Sequence, residues 1–548
     1  MASVVDWQGL LSDTGVTKLI DLALDEDLGP GGLGDGDATT RALFDAPLPA
    51  VAAVVARSAT VACGLPLAAA IFRRIDPTLE VRSWVGEGEV VAAGTTLMTV
   101  QGDTRTLLTA ERCALNFLMR LCGTAQAAHA AVASVPAGCR AKIFDTRKTL
   151  PGWRRLDKAA VRTGGAENHR MGLFDLILIK DNHIAAAGSV SAAVERARST
   201  TGRGLRVQVE VDTLAQLDEA IAAGPDMILL DNFDLADMTT AVARAADSGI
   251  ELETSGGVTQ QAIAAIARTG VDRISMGALT HSVMPADISM DLRGATAAVI
   301  QRHGVVESTM FLAAERAEQG APEGTVIVAE EQRAGRGRRG KRWFAPQGAG
   351  LWFTLVLRPK ARELRTLGLM AAAALCESLH QLGAADVRLK WPNDLLAGGR
   401  KVAGLLLEAK ASHAGGEPPV VLLGVGLNVA AAATLTLPAE IAPRYIGLGE
   451  LVATPPAPEV LLSRLVGDLL AAYDLWSLSG LAPSLPAWRR WDALAGCPVR
   501  AEMGARPVEG IARGVASDGT LRIETSDGDL YVDAGEVLAL SAPDALNR

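Results

Sequence analysis

Between residues 140 and 280, short apolar runs alternate with longer amphipathic stretches. The runs are AKIFD (141–145), DLILIK (175–180), VQVEV (207–211), MILLD (227–231), ELETS (251–255) and RISMG (273–277). Between them lie helical patterns such as TLAQLDEAIAAG (213–224) and TQQAIAAIARTG (259–270). The later strand-end residues Glu210, Asp231, Ser255 and Gly277 fall 21 to 24 residues apart, the length of one strand-plus-helix unit, and this rhythm predicts a parallel α/β barrel. Residues 1–110 do not keep it. A helical pattern over Lys18–Asp27 and strand-like runs over 51–63 and 80–100 predict a separate α/β subdomain there. A helix over about 105–133 leads from it into the barrel.

Past residue 300 the pattern changes, with no Pro/Gly/Ser-rich linker between. Strand runs TVIVAE, LWFTLVL and VVLLGVGLNV mix with helical stretches near 310–319, 363–382 and 459–475, and VATPPAPE (452–459) predicts a surface loop. From 495 to 545 the runs are short (PVRAEM, VEGIARGV, LRIETS, YVDAG) and are joined by turns such as SDGT and SDGD, which predicts a small all-β module. The expected domains are therefore 1–115, 116–295, 305–485 and 490–548.

Composition narrows the function classes. A chain of 548 residues, 49% apolar and 21% charged, can bury a core in each of several domains. Its formal net charge of -9 gives no global basic field for nucleic acid, so any basic patch is local. Six cysteines, at 63, 113, 122, 139, 376 and 497, form no CxxC pair, which predicts a reducing cytoplasm and neither a disulfide framework nor a zinc site. MASVVDWQGLLSD lacks the basic-then-apolar order of a signal peptide, and no eighteen apolar residues run unbroken, so no membrane span is expected.

The barrel strands end on Asp145, Lys180, Glu210, Asp231, Ser255 and Gly277. One charged strand end is usually a solvated edge. Several in succession, followed by Ser255-Gly256-Gly257 and Gly277-Ala278, mark the carboxyl-end face where such barrels keep their sites. Arg147 and Lys148 follow the first strand, and His169 and Arg170 precede Lys180, so the site suits a substrate with several carboxylates or phosphates. Among these cations Glu210 and Asp231 can either hold Mg²⁺ on a pyrophosphate or stabilise positive charge on a sugar carbon. The glycine turns can take a phosphate on backbone N–H groups. Read this way, the residues describe an Mg²⁺-dependent transferase for a phosphorylated sugar and an anionic acceptor. His129 and His183 stand alone and are read as structural.

Over about residues 15–292 the chain also resembles quinolinate phosphoribosyltransferase. The resemblance lies in EDLG (26–29), GDGDATT (34–40), TAERCALNFLMRLCG (109–123), DTRKTLPG (145–152), NHRMGLFD (168–175), LIKDNHI (178–184), LLDN (229–232), TSGGV (254–258) and SMGALTHS (275–282). It implies an N-terminal α/β sandwich and an incomplete α/β barrel that converts quinolinate and phosphoribosyl pyrophosphate to nicotinate mononucleotide, pyrophosphate and CO2. By the resemblance Arg112, Arg147, His169 and Arg170 clamp the quinolinate carboxylates. Arg112 then comes from a neighbouring subunit, which implies at least a homodimer. Lys148 and Lys180 face the anions, Glu210 and Asp231 hold Mg²⁺ and stabilise an oxocarbenium-like transition state, and Ser255, Gly256, Gly257 and Gly277 bind the 5′-phosphate. The glycine-rich stretch Gly29–Asp37 departs from the family as a longer loop.

The run EEQRAGRGRRGKRWF (330–344) packs six Lys or Arg and three Gly into Arg333–Arg342. It fits GxxxxGK, but Arg342 stands where a P-loop needs Ser or Thr, and a strand pattern follows instead of a helix. A nucleic-acid arm lacks a second basic cluster nearby. A solvated charge run seldom interleaves Gly with Arg so regularly. What remains is an anion loop whose glycines let N–H groups wrap a phosphate while arginines neutralise it. Lys390, Asn393, Asp394 and Lys401, between two apolar runs downstream, extend the pattern.

With EST (307–309), KWPND (390–394), GRKVAGLLLE (399–408) and GVGLNV (424–429), this loop is similar to that of biotin protein ligase, over about 305–548. The resemblance implies an α+β catalytic domain and a small SH3-like β-barrel that use Mg²⁺, ATP and biotin to make biotinyl-5′-AMP. Biotin then passes to a lysine of a biotin carboxyl carrier protein. Ser308, Thr309, Gln332, Gly335 and Arg336 would hold the biotin head. Arg336, Arg338, Arg339 and Lys341 would close on the adenylate phosphate. Asn393 and Asp394 would lie near ring and phosphate, Lys390 beside them, with Lys401 on the carboxylate or adenylate and Asn428 toward the adenine end. Met310 departs from the family's Asn after Ser-Thr. A biotin-sensing DNA regulator would need a helix-turn-helix, and none is read between 280 and 310, so no DNA partner is expected. A fusion with one inactive half is a second rival, and a phosphoribosyltransferase for a related anionic acceptor is a third.

Overall fold

A computed structural model gives the fold. It describes residues 5–29, 37–200, 204–360, 364–410, 419–503, 506–533 and 535–539, so residues 30–36 of the glycine-rich loop lie outside the described residues. The chain forms two compact units, residues 1–48 with 54–291 and residues 49–53 with 292–548. No helix among the described residues is long and apolar enough to cross a membrane, and all six cysteines are free.

In the first unit, Glu80–Ser83 pairs antiparallel with Thr96–Asp103, near the helix Leu65–Ile75. Asp103 then caps the 30-residue helix Thr104–Ala133, its carboxylate accepting the Arg105 N–H. Leu107, Ala110, Ala114, Phe117, Leu118 and Leu121, spaced by three and four, form this helix's buried stripe. The six strands foreseen from the apolar runs form one parallel sheet. Its order is Lys142–Phe144, Arg273–Ser275, Glu251–Ser255, Met227–Asp231, Val207–Val211, Ile177–Ile179. The two outermost strands are not paired with each other, so the barrel is incomplete. Helices such as Leu214–Ala223 and Leu235–Ala245 follow their strands, capped by Thr213 and Asp234. Because the strands are parallel, their carboxyl ends lie on one side.

The second unit holds a seven-stranded sheet. Its order is Val299–Val306, Thr325–Gln332, Gly350–Leu357, Val420–Asn428, Arg400–Lys410, Asp394–Ala397, Val387–Lys390. Only the first pairing is parallel. The period of two sorts its side chains: Val326 and Val328 join the large core with the helices Arg365–Gln381 and Pro458–Ser479. Ile327 faces the other way, onto Met310, Ala313 and Ala317 of the helix Thr309–Glu318. Val299–Val306 carries Gln301, Arg302 and His303 in its middle, so the apolar pattern did not mark this edge strand. The C-terminal module is a five-stranded antiparallel sheet, ordered Gly528–Val532, Leu521–Thr525, Arg506–Val515, Pro498–Met503, Glu536–Ala539.

Candidate active sites

In the first unit the charged strand ends meet. Ile179 is in register with Val209, so Lys180 and Glu210 leave adjacent strands side by side, and Lys180 Nζ lies 2.5 Å from Glu210 Oε2. The Lys180 N–H donates to His183 Nδ1 at 2.9 Å, which gives His183 a structural task at the start of the helix Asp181–Ala187. Asp231 Oδ2 accepts from Asn232 Nδ2 at 2.9 Å. Gly256, at φ +99°, sits against Asn232: an added Cβ would come within 2.2 Å of Asn232 Oδ1. The turn after Ser255 therefore presents bare backbone. Lys148 reaches over the last strand end, since a Cβ on Gly277 would come 3.1 Å from Lys148 Cδ. Lys148, Lys180, Glu210, Asp231, Ser255, Gly256, Gly257 and Gly277 thus share the carboxyl-end face.

Arg147 and Arg170 make a second cationic pair. Burial, and then the like charge of Arg147, lower the basicity of the Arg170 guanidinium. Arg147 Nε is buried without a hydrogen-bond partner. Arg154 fixes the loop beneath them, donating from Nη1 to the Met171 carbonyl at 3.3 Å and from Nη2 to the Arg147 carbonyl at 3.4 Å. Arg112 is exposed on the helix Thr104–Ala133, and no hydrogen bond or ion pair among the described residues joins it to the strand-end set.

Asp145 requires a correction. It was grouped with the charged strand ends of the site, yet it is fully buried and spent on the scaffold. It takes Lys158 Nζ at 2.6 Å, Asn168 Nδ2 at 2.7 Å and the His169 N–H at 2.7 Å. A carboxylate with no solvent needs such partners, and three of its neighbours supply them. Its partner Lys158, on the helix Arg154–Thr163, is 2% exposed. Another buried acid, Glu253, was also unforeseen. It accepts from Gln208 Nε2 at 3.0 Å, Arg273 Nε at 2.8 Å and Ser275 Oγ, and its Oε1 lies 3.2 Å from His169 Nε2. Burial alone would raise its pKa, but the His169 hydrogen bond, with Arg273 and Ser275, outweighs that and holds it at about 2. ELETS alternates polar and apolar positions as a half-exposed strand does, yet Leu252, Glu253 and Thr254 are all buried, so the letters carry no signal for it.

In the second unit the loop from Arg333 folds back on itself. The Trp343 N–H donates to the Gly335 carbonyl at 2.8 Å and the Gly337 N–H to the Lys341 carbonyl at 2.7 Å, with a short 3₁₀ turn at Arg338–Gly340. The next element is the strand Gly350–Leu357, so a P-loop is excluded. The loop borders a cavity of about 310 Å³ that gathers Thr309, Gln332, Arg336, Arg338, Lys341, Lys390, Asn393, Asp394, Lys401 and Asn428. Gln332 Oε1 accepts from both the N–H and Oγ1 of Thr309, at 2.8 and 3.0 Å. Arg338 donates to Asn393 Oδ1 at 2.9 Å, Lys401 Nζ lies 2.7 Å from Asp394 Oδ1, and Asn428 Nδ2 donates to the Lys401 carbonyl at 2.9 Å. Arg336 is held by Glu408 at 2.8 Å and lies over the Phe311 ring.

Ser308 and Gly335 do not line the cavity. Ser308 is buried and caps the helix Thr309–Glu318, while Gly335 backs onto the Trp343 carbonyl. The Arg339 side chain lies outside the described residues. Trp343, Arg444 and Tyr445 line the cavity and were not foreseen. The Trp343 indole lies on Gly404 and Gly426: a Cβ there would come within 2.9 and 2.5 Å of its ring atoms. The glycines of VAGLLLE and GVGLNV were the available signal.

Four family models match along the chain. The family models that match are "Quinolinate phosphoribosyl transferase, N-terminal domain" over residues 37–122 and "C-terminal domain" over 124–291, then "Biotin/lipoate A/B protein ligase family" over 304–428 and "Biotin protein ligase C terminal domain" over 496–538. A nicotinate-nucleotide pyrophosphorylase (carboxylating) of Mycobacterium leprae is 43% identical over 277 residues, spanning 49% of this chain and 94% of that protein. A probable enzyme of the same name from Bacillus subtilis is 40% identical over 260 residues, spanning 47% and 89%. A solved structure of a biotin protein ligase from Aquifex aeolicus, in complex with biotin and ATP, is 24% identical, with a TM-score of 0.39 over 44% of this chain and 98% of that one.

Proposed function

The chain belongs to the quinolinate phosphoribosyltransferase family through residues 37–291 and carries a biotin/lipoate protein ligase domain at 304–428 and a biotin protein ligase C-terminal domain at 496–538, and on that premise we propose that it is a two-enzyme protein. Its first half joins quinolinate to phosphoribosyl pyrophosphate and releases pyrophosphate and CO2, a step of NAD synthesis. Its second half makes biotinyl-5′-AMP from biotin and ATP and passes biotin to a lysine of a biotin carboxyl carrier protein. The observation that carries the reading is a pair of carboxylates on neighbouring strands, Asp231 and Glu210, flanked by Lys180 and Lys148 on one face of the parallel sheet.

In the first reaction Arg147 and Arg170 take the carboxylates of quinolinate, with Arg112 supplied by a second copy of the chain. Backbone at Ser255, Gly256, Gly257 and Gly277 takes the 5′-phosphate, and Lys148 and Lys180 take the pyrophosphate. The pyridine nitrogen attacks the ribose carbon as its bond to pyrophosphate breaks, and Glu210 and Asp231 stabilise the positive charge that develops there. The cationic ring then accepts the electron pair left when the adjacent carboxylate departs as CO2, and a proton replaces it. Glu210 and Asp231, on neighbouring paired strands, are hard oxygen donors that would hold Mg²⁺ together with the substrate's phosphates. When bound, it would neutralise pyrophosphate charge beside Glu210 and Asp231.

In the second reaction the biotin carboxylate attacks the α-phosphate of ATP and pyrophosphate leaves. Two anions must meet, so the work is positioning and charge neutralisation. Thr309, Gln332 and Arg336, with Ser308 and Gly335 behind them, hold the biotin head. Arg338, Arg339 and Lys341 cover the phosphate, Lys401 takes the carboxylate, and Lys390, Asn393, Asp394 and Asn428 complete the wall. We take both reactions to run in the cytoplasm, in line with the free cysteines. The test is CO2 release from quinolinate with and without phosphoribosyl pyrophosphate and Mg²⁺, beside ATP-dependent labelling of a carrier domain by biotin. Absence of either activity overturns that half of the reading.

A further inference from the structure

His169 has four hydrogen-bonding groups, and all four are engaged inside the protein. Its N–H donates to Asp145 Oδ1 at 2.7 Å, and its carbonyl accepts from Lys158 Nζ at 3.0 Å. Its Nδ1 accepts the Arg170 N–H at 2.7 Å, so the ring proton sits on Nε2, directed at Glu253 Oε1 3.2 Å away. Glu253 is fully buried and is fixed by groups from two other strands, Gln208 on one and Arg273 with Ser275 on another. The ring has no donor left for a substrate carboxylate. The unmet demand lies next door: Arg147 Nε is buried without a partner, and the Arg170 guanidinium sits close enough to Arg147 to feel its charge.

We propose that His169 and Glu253 are positioning residues for quinolinate binding: the pair fixes the Arg170 backbone, and the Arg147 and Arg170 side chains take the carboxylates without His169. This rests on the phosphoribosyltransferase reading above and replaces the expectation that His169 is itself part of the clamp. The logic is that of a buried acid orienting an imidazole, with the imidazole's other nitrogen orienting a backbone instead of a metal or a nucleophile. An imidazole tied to three strands and hydrogen-bonded to the Arg170 N–H transmits their rigidity to the guanidinium that needs it.

The test uses the full chain and steady-state CO2 release. His169→Asn keeps an acceptor near the Nδ1 position, whereas His169→Gln keeps a donor near the Nε2 position. The proposal expects the KM for quinolinate to rise about threefold in His169→Asn and about tenfold or more in His169→Gln, His169→Ala and Glu253→Gln. In all four, kcat and the KM for phosphoribosyl pyrophosphate should change far less. A ring that bonds the substrate directly predicts the reverse order, with His169→Gln the mildest, and leaves Glu253→Gln nearly normal; either result overturns the proposal. The parent protein, labelled with ¹⁵N-histidine, needs no variant to fold. Its His169 ring signals should keep the Nε2–H pattern when quinolinate is added to saturation, and a change in that pattern also overturns the proposal. A parent chain that releases no CO2 contradicts the phosphoribosyltransferase reading itself, and that is seen before any variant is compared.

Discussion

Single buried acids decide much of this molecule's chemistry, and Asp492 shows it most simply. Its Oδ1 accepts the Leu494 N–H at 2.8 Å, but its Oδ2 is buried with no partner. Burial pushes its pKa up to about 6, against the Leu494 hydrogen bond that lowers it. The folded chain therefore holds the proton more tightly than the unfolded one. Asp492 costs nothing below about pH 4, and the cost grows as pH rises toward 6 and stays above it. Asp492→Asn should raise stability at neutral pH by on the order of 2 kcal/mol, with the gain fading as pH falls to 4; thermal melting across that range checks it. A gain independent of pH contradicts the assignment. At this scale the sequence was legible for exposed chemistry and poorly so for buried chemistry. Lys148, Lys180, Glu210 and Asp231 were readable as a set because charge recurs at one strand end after another, and the structure places them on one face. Lys158, Glu253 and Asp145 were not, because a buried ion pair carries the same letters as a solvated helix or strand face. Only packing tells the two apart.

Elements were read well where periodicity is clean. The six strands of the parallel sheet fall within the six apolar runs, and the helix Thr104–Ala133 nearly matches its expected span. Val299–Val306 escaped because it is an edge strand with a polar middle, the usual way edges are blunted. The basic loop was legible in composition but not in conformation: its hairpin-like closure depends on Trp343 lying across Gly404 and Gly426, on two strands far away in sequence. That contact makes a prediction. Gly426→Ala would place a Cβ about 2.5 Å from the Trp343 indole, so the loop must lift. Biotin transfer should fall at least about tenfold at a stability cost of about 1–3 kcal/mol, and CO2 release should be unchanged. Retained biotin transfer would show that this packing is dispensable.

For the whole molecule, the claims concern how many activities the chain carries and how many copies complete a site. If Arg112 serves a neighbouring subunit, inactive Arg112→Ala and Lys180→Ala chains should complement each other when mixed and re-equilibrated. A random dimer mixture restores about a quarter of the sites, whereas a site built within one chain restores none. The more direct measurement is a crossed assay on the intact protein. Lys180 pairs with Glu210 and Lys401 with Asp394, in separate units. CO2 release from quinolinate and ATP-dependent biotin transfer are followed together in the parent, Lys180→Ala and Lys401→Ala. A two-enzyme protein shows both activities in the parent, loses only CO2 release with Lys180→Ala, and loses only biotin transfer with Lys401→Ala. A parent lacking either activity, or a single substitution that removes both, contradicts it.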